Sequence, residues 1–197
     1  MKIIILISIL LSCSLHTFSQ EHQEVNLIQA DSTWGKEIIQ VPFWFAPKIN
    51  YIGYEDIRFA KGWENIDGNG FWTLVLAWDI NLKNKPTTIF FEDNLKLYFD
   101  GLMKVVNENE TLIIPKTKAN FIENITNTEI TTFTGTVETY DAFTTKKMIA
   151  LNVTIESHYC EKTENYVPFF RMSPRNFNHE VWEELDRINL RDDICDY

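Results

Sequence analysis

His158 and His179 are the side chains best suited to moving a proton near neutral pH, because imidazole titrates there and serves as general acid or base. Neither sits in a recognisable catalytic pattern. No G-x-S-x-G elbow is present to supply a nucleophile. The adjacent acids Glu55-Asp56, Glu92-Asp93 and Glu183-Glu184 have the side-chain chemistry of a glycosidase pair. Neighbours in sequence, however, point apart on a strand and diverge on a helix. His158-x-Cys160 offers two transition-metal ligands where a structural zinc needs four. Asn65-x-Asp67-x-Asn69-Gly70 opens like a calcium loop, but Leu76 stands where the bidentate glutamate belongs. A turn explains the same residues. No metal, catalytic set or cofactor is expected from these patterns.

Aromatic residues are the other resource. Phe43, Trp44, Phe45, Tyr51, Tyr54, Trp63, Phe71, Trp72 and Trp78 crowd the first third of the chain. Trp72 and Trp78 alternate with aliphatic neighbours and are expected in the core. Trp44, out of phase with Phe43 and Phe45, and Trp63, beside a turn, are the candidates for exposure and hence for binding. Two signs separate the classes. A histidine gathered with two acids in one concave pocket marks an enzyme, and an exposed aromatic patch marks a binder.

The chain opens with Met1-Lys2, a short aliphatic run from Ile3 to Leu11, and a small, polar stretch from Ser12 to Gln20. That layout is a secretory signal, too short to span a bilayer. Cleavage after Ser19 is the preferred reading (signal 1–19). The alternative is lipidation at Cys13, since Leu10-Leu11-Ser12-Cys13 fits a lipobox. Either route leads to a periplasmic or secreted protein, by lipid anchor in the second case. In an oxidising compartment the remaining pair, Cys160 and Cys195, is expected to form a disulfide.

Composition bounds the partners. Net charge is −10, hydrophobic residues make up 45% and aromatics 14%. Such a chain is not disordered, and its field repels nucleic acid and anionic headgroups. No stretch after the signal is apolar enough to cross a membrane.

The elements that would position these residues are mostly strands. Phe71–Ile80 alternates with Trp72, Leu74, Leu76, Trp78 and Ile80 on one face, and pairs with Tyr54–Trp63 through Asp67-Gly68-Asn69-Gly70. Lys147–Tyr159 pairs with Thr131–Asp141, and Val41–Ala46 and Tyr166–Met172 are shorter candidates. The periodicity predicts one helix over Glu92–Val106, capped by Asp93, and another over Asn178–Leu190, capped by Asn178 with a Phe177/Trp182 staple. Residues 20–36 read as a flexible leader, and 37–197 as a single α+β domain, an antiparallel sheet packed by two amphipathic helices. A β-barrel with a ligand cup is the alternative. The expected function is a non-catalytic domain of the envelope or exterior that binds a protein, a small molecule or a glycan. The alternatives are a hydrolase-type enzyme built on scattered acids with His158 or His179, and a lipid-anchored assembly factor.

Overall fold

The computed structural model describes residues 26–107, 111–124 and 130–196. The signal segment, with Cys13, lies outside the described residues. Nine strands and two helices follow in the order β1 (Ile28–Gln29), β2 (Gly35–Val41), β3 (Gly53–Phe59), β4 (Leu74–Ile80), α1 (Thr88–Val106), β5 (Lys118–Glu123), β6 (Ile130–Tyr140), β7 (Met148–Cys160), β8 (Asn165–Ser173), α2 (Val181–Leu185) and β9 (Asn189–Leu190).

Seven strands form one sheet in the order β2-β3-β4-β8-β7-β6-β5, and every neighbouring pair is antiparallel. The path explains that order. Strands β2 to β4 make one meander, α1 carries the chain to the far edge, and β5 to β8 make a second meander back to β4. The sheet is open at β2 and β5, so the barrel alternative does not hold.

The alternation expected along β4 and β7 sets the core. Leu74, Leu76, Trp78 and Ile80 face α1 together with Leu151, Val153 and Ile155, all buried. From α1, Phe91, Leu95, Tyr98, Phe99 and Met103 come down on that face. Val75 and Ala77, on the opposite face of β4, join Phe169, Val181, Trp182 and Leu185 in a second cluster under β1, α2 and β9. The centre of the sheet is thus covered on both sides, which is why β4 carries apolar residues at every position but one.

Four local expectations are corrected. First, α1 starts at Thr88, one turn before the expected Glu92: Phe90 N donates to Thr87 Oγ1 at 3.3 Å, so Thr87 is the cap. Asp93 lies inside the helix and pairs with Lys96 at 3.5 Å. Second, α2 covers only Val181–Leu185; its N-cap residue is Glu180, not Asn178, and the Glu180 side chain makes no capping bond. Buried Arg171 explains the early stop, since its Nε donates to Leu185 O and its Nη2 to Ile188 O, both at 3.0 Å. The last carbonyl of the helix, Leu185 O, is thereby satisfied, and Asn189–Leu190 pairs with β1 instead. The staple contact survives, with the Phe177 and Trp182 rings 4.6 Å apart. Third, the strand expected over Val41–Ala46 lies upstream, in β2. Pro42 has no N–H for the ladder, and β2 ends just before it. Fourth, within 20–36, Leu27 and Ile28 are buried and β1 and the start of β2 are strand. Buried Asp56 anchors this stretch by accepting from Leu27 N at 2.8 Å and Ile28 N at 3.2 Å.

Cys160 and Cys195 are joined by a disulfide. It closes the C-terminal segment against the end of β7, beneath the second cluster.

Candidate functional site

Where α1 leaves the β2-β3-β4 half of the sheet, the two layers enclose an apolar cavity of about 320 Å³. Its floor is the core face of the meander: Ile39 from β2, Ile57 and Phe59 from β3, Leu74 and Leu76 from β4. Its roof is the C-terminal half of α1, with Tyr98, Phe99, Leu102 and Val106 at helical spacing. Loops complete the wall with Trp44 and Phe45, Trp63 and Trp72, and Phe143. Both sequence-predicted binding aromatics, Trp44 and Trp63, therefore line one cavity, although they come from different loops.

Their settings differ. Trp44 is 71% exposed between buried Phe43 and Phe45, in the loop that follows β2. Trp63 is half-buried and packs edge-on against Trp72 and Phe143, with ring centroids 6.0 Å and 5.4 Å away. Phe143, on the connection between β6 and β7, carried no signal in the sequence. Gly101 sets the depth of the roof. A Cβ there would sit 2.2 Å from Phe45 O, so the bare backbone lets α1 close on the loop that carries Trp44 rather than on the sheet.

Beside the cavity lies a buried carboxyl. Glu55 accepts from Trp78 Nε1 at 2.7 Å and from Tyr98 OH at 2.9 Å, and its side chain is fully buried. Burial pushes it up to about 7, and the charge of Glu37 adds to the rise, while the two hydrogen bonds oppose it. The same burial and the neighbouring Glu55 raise the Tyr98 hydroxyl well above its ordinary value. Tyr98 is thereby held as a neutral donor and fixed against the cavity wall. Glu55 and Asp56 do point to opposite faces of β3, as adjacent acids on a strand must.

The histidines go elsewhere. His158 lines a second, polar groove of about 440 Å³ with Glu156, Glu161 and Asp192, next to the disulfide. His158 Nε2 lies 3.3 Å from Glu156 Oε2, and Arg171 Nη1 donates to Glu156 Oε1 at 2.5 Å. The bonds from His158 and Arg171 hold Glu156 down to about 2. Such a carboxylate orients an imidazole but does not itself take up protons at neutral pH. The groove lining includes no serine, threonine or free thiol. His179 is not in it; its Nδ1 accepts from Val181 N at 3.1 Å.

The calcium-like stretch is spent on turns: Gly68 N donates to Asn65 O at 2.9 Å, and Asn69 Nδ2 to Glu180 Oε1 at 2.5 Å. Among the described residues no group of three or more histidines, cysteines or acids is placed to hold a metal ion. No described helix is long and apolar enough to cross a membrane. The chain matches no protein-family model, and no curated protein or solved structure is significantly similar to it.

Proposed function

We propose that this protein is an exported, non-catalytic binder of a small lipophilic molecule, held between α1 and the β2-β3-β4 meander. The observation that carries this reading is the convergence of Trp44, Trp63 and Phe143 on an apolar cavity that has room for a ligand. An apolar interior with few polar groups suits a lipophile better than a glycan, whose hydroxyls would lose hydration without replacement. Export rests on the signal-like start and is compatible with the disulfide.

The neutral fluorescent lipophile N-phenyl-1-naphthylamine is a suitable probe. Its emission should rise and saturate with the wild-type protein. Trp63→Ala removes a half-buried anchor and should weaken binding by about 2 kcal/mol or more, roughly 30-fold. Trp44→Ala should weaken it less and leave stability within about 0.5 kcal/mol, because that side chain is largely in solvent. His158→Ala and His179→Ala should leave it unchanged.

One observation favours a second reading. His158, oriented by Glu156 and flanked by Glu161 and Asp192, is a histidine among acids in a concave groove, the arrangement expected of a hydrolase that activates water. Hydrolysis of an ester or glycoside that His158→Ala abolishes and Trp63→Ala spares would establish it in place of the binder.

A further inference from the structure

Glu37 gives the cavity a sign. Along β2, alternation puts Glu37, Ile39 and Val41 on the face that packs toward α1, and Lys36, Ile38 and Gln40 on the other. Val41 is buried, Ile39 partly buried and Glu37 exposed, so this row runs from the core out to solvent. The ladder sets Glu37 opposite Ile57, which lies in the cavity floor. A carboxylate therefore continues an apolar row at the point where the cavity meets water.

No side chain of the lining balances it. Glu37 is the sole charged residue there, with no lysine, arginine or histidine beside it. Among the described residues Glu37 makes no hydrogen bond or ion pair. The other acid on this face, Glu55, is fully buried and spent on Trp78 and Tyr98. The rest of the wall is largely aromatic, and Trp44, 71% exposed, reaches solvent as Glu37 does. Aromatic faces attract cations, and a chain carrying −10 draws them in. An anionic head would meet Glu37 and the same field with no cationic side chain in the lining to receive it.

Resting on the lipophile-binding reading above, we propose that the cavity selects a small amphiphilic cation, with an apolar body held between α1 and the meander and an ammonium head beside Glu37. The volume, about 320 Å³, lies at the small end of ligand pockets and suits a short or single-ring body.

The test compares benzyltrimethylammonium with neopentylbenzene, its uncharged isostere, and with phenylacetate, on the full chain. Affinities are read from the methyl resonances of Ile57 and Leu76. The ammonium should bind more tightly than phenylacetate. Glu37→Gln should weaken the ammonium about 2- to 5-fold, the factor expected for an exposed ion pair, and leave the isostere unchanged. Raising salt from about 10 mM to about 1 M should weaken the ammonium and not the isostere, because salt screens an exposed charge. The salt arm needs no substitution, so it stands whatever Glu37→Gln does to the fold. An ammonium affinity that neither Glu37→Gln nor salt reduces overturns this inference, and binding of the isostere then leaves the lipophile reading in place. Phenylacetate binding as tightly as the ammonium also overturns it. Absence of binding by all of these compounds and by N-phenyl-1-naphthylamine removes both this inference and the reading on which it rests.

Discussion

Glu55 accepts from Tyr98 of the cavity wall, and its chemistry yields a signed prediction. Unfolded, its carboxyl titrates near the ordinary 4.5; folded, burial raises it to about 7. Between those values the folded protein keeps a proton that the unfolded chain releases, so stability falls as pH rises. The contribution is fully present below about 4.5 and is lost as pH passes through about 7, amounting to at most about 3 kcal/mol. Glu156, lowered to about 2, acts in the opposite sense and in a more acidic window. Glu55→Gln keeps an acceptor for Trp78 and cannot ionise. Its urea midpoint should gain on that of wild type between about pH 5 and about pH 8. Parallel pH profiles would show that Glu55 does not titrate in that range. Nothing in the sequence distinguishes Glu55 from the other acids of the chain. Its role exists only because β4 brings Trp78 and α1 brings Tyr98 to the same point. The exposure of Trp44 was expected from strand phase, but it lies in a loop after β2, so the exposure comes from the loop path and not from alternation.

The elements differ in how far they could be read locally. The strand content of β6 and β7 follows from alternation, because a half-buried sheet writes its period into the side chains, whereas β4 and β8 are buried on both faces and read as largely apolar runs. The β3–β4 pairing was legible too, although the connection spans Ala60 to Thr73 instead of a tight turn. What could not be read was the β1–β9 pair, joining Ile28 to Leu190, and the short α2. Both depend on the buried side chains of Asp56 and Arg171, which come from distant strands. The disulfide ties this second layer to the end of β7, so its loss should act locally. Cys160→Ala should lower stability by about 2–4 kcal/mol. Hydrogen exchange should lose protection in β9 and β1 and keep it in β6 and β7. Equal loss throughout the sheet would mean that the second layer is not a separable unit.

For the molecule as a whole, the proposed function combines export with binding in the apolar cavity on one face of the sheet. Export predicts a mature chain beginning at Gln20 in intact-mass measurement of protein from its native host; a lipidated Cys13 at the N-terminus would give the anchored form instead. The field of a chain at −10 opposes nucleic acid and other anions. The two concave sites lie in different places. The apolar one is formed by α1 with β2, β3 and β4, the polar one by β7 with the C-terminal segment. Which of them a ligand enters decides the function, and methyl NMR reads both at once. On titration with N-phenyl-1-naphthylamine, the methyl resonances of Ile57, Leu76, Leu102 and Val106 should shift and saturate together, while those of Leu190 and Ile194 in the histidine groove stay still. Shifts confined to Leu190 and Ile194, or none at either site, would contradict the account.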